Sequence, residues 1–344
     1  MRGVTDRVSA RQIQRRSALR QWTRRKALAL VGVGLTAAAL APETGVHAGA
    51  VPTAIAVFNG GGIEWSNDYG MTWHAADSGL SGDVGNLRRV GCLSTVDCFT
   101  AAPGGLVLVT HDAGHTWTQQ ATGIASNLKG VSFADAMHGL LCGQGGAIGT
   151  TTNGGATWVP HSSGVGAALY NAAMPTPLVG YVVGDGGVIL KTIDGGVTWH
   201  QQNSGTSALL DAVSFFDAKH GVAGGEGPTI LTTWNGGATW VQHNTPAAGK
   251  IFGLSTPTAH NWYATGLSDT IIASSNAGWS WRAEKTAVSA KFLAIAFPNG
   301  DPLHGVVHGY DGTTLTTSDG GTTPWQPQTS GTTLEGYGLG FTTG

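Results

Sequence analysis

Ser66-Asn67-Asp68-Tyr69-Gly70-Met71-Thr72-Trp73 decides how this chain folds, because the stretch returns as Thr110-His111-Asp112-Ala113-Gly114-His115-Thr116-Trp117 and in five further copies ending at Trp158, Trp199, Trp240, Trp281 and Trp325. Successive terminal tryptophans lie 44, 41, 41, 41, 41 and 44 residues apart. Even spacing over most of a chain is the signature of a repeat architecture. Each copy follows Ser/Thr-x-Asp/Asn-x-Gly-x-Thr/Ser-Trp, and the chemistry is that of a hairpin turn. The Asp or Asn oxygen accepts from backbone N–H groups further on, the Gly supplies positive φ, and the Trp starts the next strand with a large apolar surface.

Working outward from the fifth copy, residues 209–217 are apolar, His220-Gly221-Val222-Ala223-Gly224 follows, and Thr229-Ile230-Leu231-Thr232-Thr233 leads into the turn and Trp240. Four short strands in a unit of this size make one blade of a propeller. The first copy is preceded by only two strands, at residues 53–59 and 62–66, and residues 334–341 read like the first strands of the other units. The prediction is an all-β chain: a seven-bladed β-propeller of four-stranded antiparallel blades over residues 51–344, monomeric, with the C-terminal strand completing the N-terminal blade. Closure of that kind hides the sheet edges.

The turn resembles the Asp-box, or bacterial neuraminidase repeat, of β-propellers. Its structural positions are Asp68, Asp112, Asn153, Asp194, Asn235, Asn276 and Asp319, each with its tryptophan, the first being Trp73 and the second Trp117. Three of the seven carry Asn, which keeps the acceptor and discards the charge. A turn-capping oxygen tolerates that exchange and a catalytic or metal-binding carboxylate does not, so no catalytic residue, metal or cofactor is expected at the boxes.

Composition agrees. Gly accounts for 55 of 344 residues and charged residues for 11%, which disfavours both disorder and long helices. Residues 1–50 hold nine of the 18 basic and two of the 20 acidic residues, leaving nine basic and 18 acidic residues in 51–344. An acidic body repels phosphate backbones, so nucleic acid is not an expected partner. Residues 1–26 are basic, 27–41 are uncharged, and Ala48-Gly49-Ala50 closes the stretch. This is the order of an export signal, with Thr23-Arg24-Arg25-Lys26-Ala27-Leu28 similar to a twin-arginine motif and a Sec signal as the alternative. Fifteen residues are short for a membrane span, so no permanent anchor is expected, and the protein is placed in a periplasmic, lumenal or extracellular space. There, Cys92 and Cys98 are close enough for a cross-turn disulfide, leaving Cys142 free.

Innermost strands line a propeller's channel, and aligning them puts Arg88, Lys129, Tyr170 and Asp211 at one equivalent position, with an apolar neighbourhood in blade six at Phe292 and Leu293. Arg88 and Arg89, being adjacent, would leave opposite faces of a strand. Asn59, Gln144, Asp185, Glu226, Asp269 and Asp311 are read as a rim of turns between second and third strands. An acidic rim attracts a cation or a basic segment, although Asp-Gly and Asn-Gly are also ordinary hairpin turns. His138, His220 and His304 recur before Gly and read as framework residues.

Between the boxes, Phe133-Ala134-Asp135-Ala136-Met137-His138-Gly139 and Phe215-Phe216-Asp217-Ala218-Lys219-His220-Gly221 repeat, and Phe297-Pro298-Asn299 leads into His304-Gly305. Joined to Asp-boxes, this pattern resembles the photosystem II stability/assembly factor family over essentially all of residues 51–344. The resemblance implies an exported, non-enzymatic propeller that assists membrane-protein assembly. The expected partner is an envelope or membrane protein, or a glycan, engaged through channel and loop residues. The photosynthetic members carry an arginine-rich patch, whereas only Arg88, Arg89 and Arg282 lie beyond residue 50 here. The same scarcity opposes a sialidase, whose family gathers arginines from several blades. The alternative is a glycoside hydrolase of an Asp-box propeller family, which needs two suitably spaced carboxylates.

Overall fold

A computed structural model describes residues 51–78 and 86–343. Seven four-stranded antiparallel sheets follow one another, numbered here as blades by the Asp-box each contains. Blade 3 is typical, running from inside outward through Leu128–Phe133, Gly139–Gly143, Ala147–Thr151 and Val159–Ser162. Blade 1 takes its inner strand from the far end of the chain. Gly336–Phe341 pairs with Ala54–Phe58, in the register Ala54↔Phe341 to Val57↔Gly338. The Thr53 N–H adds a bond to Thr342 Oγ1 at 2.9 Å, so the seam of the ring is a hydrogen-bonded ladder. The export segment lies outside the described residues. Among the described residues no helix is long and apolar enough to cross a membrane.

Each box closes on itself. In blade 1, Ser66 Oγ donates to Asp68 Oδ1 at 2.7 Å and accepts from the Gly70 N–H at 2.9 Å. Asp68 also accepts from the Thr72 N–H and hydroxyl, and Trp73 Nε1 donates to the Gly70 carbonyl. Where Asn replaces Asp, the hydroxyl bond reverses: Asn153 Nδ2 donates to Thr157 Oγ1 at 2.9 Å, while Asn153 Oδ1 still accepts from the Thr157 N–H. The side chain at this position makes the same number of bonds as Asp or as Asn, although Trp158 and Trp240, in two of the Asn boxes, leave their Nε1 unpartnered. Box seven departs from the rule, since Pro324 stands in the tryptophan position and Trp325 follows one residue late. Trp325 is fully buried with its Nε1 unpartnered.

The motif with Phe, Asp and Gly between the boxes has a packing explanation. Phe215 stacks on Tyr181 of the preceding blade, with centroids 3.8 Å apart, and meets Trp240 of its own box edge-on. Phe297 repeats this against Tyr263 at 3.9 Å and Trp325. The glycine after His lies under that ring: a Cβ at Gly221 would stand 2.5 Å from Phe215. Asp217 Oδ1 accepts from the N–H groups of Lys219 and His220, and its carboxylate meets His220 Nδ1. Asp135 with His138 and Asp301 with His304 do the same, placing these histidines in turns. Blades 4 and 5, and blades 6 and 7, are thus joined by aromatic stacks between neighbouring sheets, each worth about 1 kcal/mol beyond its buried area.

Cys92 and Cys98 form a disulfide between the first two strands of blade 2, where the inner strand, Val90–Cys92, has only three residues. Cys142 is free and buried, and burial pushes its thiol up to about 12.

Candidate functional site

Every inner strand from blade 3 to blade 7 begins with the same irregularity. In blade 3 the register runs Leu128↔Gly143 and then Gly130↔Cys142, which leaves Lys129 out of the ladder. A bulge frees a residue from pairing and re-aims its side chain. Tyr170, Asp211, Phe252 and Leu293 are left out in the same way, and Tyr337 in blade 1, with Arg88 at the matching place in blade 2. The four residues aligned from sequence therefore share one structural position. The alignment missed Phe252 and Tyr337, and Leu293 belongs to blade 7. Pairs form between neighbours: Lys129 Nζ lies 4.0 Å from the Tyr170 ring centroid, and the Arg88 guanidinium 4.9 Å from that of Tyr337.

One residue further on, the ring reads Arg89, Gly130, Asn171, Ala212, Gly253, Ala294 and Gly338. Six small or short side chains leave the axis to one long one. Arg89 crosses it, donating from Nη1 to the Tyr337 carbonyl at 3.2 Å and from Nη2 to the Asp211 and Phe252 carbonyls at 3.1 and 2.7 Å. The expectation that Arg88 and Arg89 point to opposite faces fails because the strand begins only at Val90, and both arginines reach the channel. Burial, then the neighbouring Arg88, lowers the Arg89 pKa against the opposing pull of Asp211.

Asp211 is buried and divided between two cations, with Lys250 Nζ at 2.7 Å and Arg89 Nη2 at 3.8 Å. Lys250 also lies 4.7 Å from the Phe252 ring centroid, and Lys291 lies 5.1 Å from that of Tyr310. Five of the nine basic residues of 51–344 thus gather at one mouth of an otherwise acidic ring. Aromatic rings alternate with them. Burial lowers the Lys129 pKa, with Arg88 adding to the effect. Burial and a hydrogen bond to Asp185 push the Tyr170 hydroxyl up to about 12, and Tyr337 is raised by burial and by its bond to Glu335.

The turns between second and third strands lie at this same end, as the Gln144 N–H bond to the Asn127 carbonyl shows. Asn59, Gln144, Asp185 and Glu226 each make that bond to the residue preceding an inner strand. In blades 6 and 7, however, it is Leu267 and Tyr310 that do so. Asp269 and Asp311 follow two residues and one residue later, at φ 58° and 54°, and Pro103 begins the turn in blade 2. The expected rim is therefore not a continuous acidic ring. The register was legible: the residue directly after the last Gly of each second strand gives Gln144, Asp185, Glu226, Leu267 and Tyr310. Among the described residues no three His, Cys, Asp or Glu side chains group as a metal site.

The family model described as photosynthesis system II assembly factor YCF48 matches residues 109–199. Among solved structures, YCF48 bound to D1 peptide is 16% identical, with a TM-score of 0.57, covering 74% of this chain and 89% of that one. YCF48 from Cyanidioschyzon merolae is 19% identical, with a TM-score of 0.57, covering 72% and 86%. The GH74 enzyme of Niastella koreensis is 15% identical, with a TM-score of 0.63, covering 79% of this chain but 51% of that one, so this chain spans about half its length. No curated protein sequence matches. The chain is a seven-bladed Asp-box propeller that resembles the photosystem II assembly factors.

Proposed function

We propose that this propeller is an exported, non-catalytic binding module that assists the assembly of an envelope or membrane protein, engaging a polypeptide segment at the basic mouth. The observation carrying this reading is the ring of seven equivalent positions, the six bulge residues Lys129, Tyr170, Asp211, Phe252, Leu293 and Tyr337 together with Arg88, which presents different chemistry from each blade on a rigid frame. Arg88, Lys129 and Lys291 suit acidic side chains of a partner, and Phe252 and Tyr337 suit apolar or aromatic ones. Two carboxylates at the mouth are engaged, Asp211 by Lys250 and Glu335 by the Tyr337 hydroxyl, which favours binding over hydrolysis at those two. Family and fold likenesses to YCF48 point the same way.

Affinity capture from the native envelope fraction tests the reading. The wild-type ring should retain a membrane-protein subunit that R88A/K129A does not, the variant melting normally. Equal retention by both would remove the mouth as the contact surface. The likeness to GH74 enzymes favours one competing reading, glycoside hydrolysis. Turnover of xyloglucan or another glucan, abolished by Asp185→Asn or Asp211→Asn, would replace the binding module with an enzyme.

A further inference from the structure

The opposite end of the axis holds a separate recess. Each first-to-second-strand turn lies beside its own Asp-box, as in the Gly154 N–H bond to the Met137 carbonyl and that of Gly195 to Leu178. Between these turns the inner strands surround a cavity of about 760 Å³, a size that suits a small organic ligand. The position two residues past Arg89 is Gly, Ala or Ser in all seven blades, and its Cβ faces the next blade, so neighbouring inner strands pack closely around the cavity.

The lining is neutral apart from one group. Its hydroxyls are engaged in joining blades: Ser132 Oγ accepts from the Met174 N–H at 3.0 Å, and Ser214 and Thr256 bond at 2.9 Å. Among the described residues that line the cavity, Arg89 is the single charged side chain. Asp211 is drawn to Lys250 and stands 3.8 Å from Arg89, beyond hydrogen-bond reach, so the guanidinium's close partners are three neutral carbonyls. A guanidinium whose anionic neighbour Asp211 is 3.8 Å away and shared with Lys250, beside a neutral polar chamber, is complementary to a carboxylate.

We propose that the cavity on the Asp-box end binds a ligand with a single carboxylate, which lies against Arg89 while its neutral remainder occupies the chamber. A polypeptide C-terminus and a small free carboxylic acid share that chemistry. The site shares Arg89 with the axis but uses none of the mouth residues Arg88, Lys129 and Lys291, and it does not rest on the proposed role of the mouth.

The probes are acetate, propionate and N-acetyl-Gly-Ala-Ala with a free or an amidated C-terminus, titrated calorimetrically into the full chain. Arg89→Gln removes the guanidinium, and the amidated peptide tests the same contact should that variant fail to fold. Saturable binding of the peptide acid, at least about tenfold weaker for the amide and for Arg89→Gln but unchanged in R88A/K129A, assigns a polypeptide terminus. Equal binding of propionate with the same losses assigns a free acid. No saturable binding up to about 10 mM, or binding indifferent to amidation and to Arg89→Gln, overturns the proposal.

Discussion

The guanidinium of Arg89 in blade 2 donates to the backbone carbonyl of Asp211 in blade 5 at 3.1 Å, joining residues 122 positions apart across the axis of the ring. With its bonds to Phe252 and Tyr337, a single side chain ties four blades together. Arg89→Met should therefore loosen the whole ring. The loss removes three charge-assisted bonds but leaves Asp211 its Lys250 partner, so the expected cost is about 2–4 kcal/mol, below that of stranding a buried charge. Guanidinium denaturation measures it, and a shift under about 0.5 kcal/mol would show that the axis carries no such tie.

Glu284 is almost wholly buried, 2.9 Å from Arg282, and burial pushes its carboxyl up to about 7, with Arg282 opposing. A carboxyl that keeps its proton longer when folded contributes stability that is present below the unfolded value near 4.5 and lost as pH rises to 7. Glu284→Gln should then be more stable than wild type by about 1–2 kcal/mol at about pH 8, after allowing for the half-exposed arginine. Melting curves across pH should converge at the acidic end; divergence there would contradict the assignment.

His308 lies fully buried between Phe58 and Trp73, its Nδ1 bonded to Thr314 Oγ1 at 2.9 Å and its Nε2 unpartnered. Burial lowers its pKa to about 3. The unfolded chain accepts the proton first, so stability should decline as pH falls from 6.5 towards 3, by on the order of 2–4 kcal/mol from this group. His308→Leu should flatten the acid limb of a denaturation-versus-pH curve, whatever it does to stability at neutral pH. An unchanged limb would show that His308 is protonated within the fold.

The bridge between Cys92 and Cys98 closes a short loop at the blade with the shortest inner strand among blades 2 to 7. Chain-entropy reasoning gives such a loop about 2 kcal/mol. The double variant C92A/C98A should lose about that much in a thermal melt, and wild type in excess reductant should match it. Free thiols at both positions in unreduced peptides would refute the bridge.

Asp68 tests the purpose of the boxes. Because Asn makes as many bonds in the turn as the Asp side chain does, D68N should stay within about 0.5 kcal/mol of wild type, whereas D68A, losing the bonds from Thr72 and Ser66, should cost about 1–2 kcal/mol. Equal damage from both would mean the charge itself is used.

Much of the site was legible once the repeats were aligned, because equivalent positions in a propeller occupy equivalent places. Lys129, Tyr170 and Asp211 were found that way. Phe252 and Tyr337 escaped because apolar residues at a repeated position read as core until a bulge is known to turn them outward. Asp269 and Asp311 lie in the expected turns but past the equivalent position, because Asp-rich turns attract attention by composition, whereas the hydrogen bond that defines the register falls on Leu267 and Tyr310.

The sequence alone determined the number of blades, the box turns and the closure of the ring, since these follow from local patterns of fixed period that each unit satisfies within itself or against its neighbour. Only the tertiary structure decided that an acidic chain gathers five cations at one mouth, and that Arg89 spans the axis above a neutral chamber. Those features depend on which side chains meet across the ring. Such meetings join residues more than a hundred positions apart, and no local pattern records them.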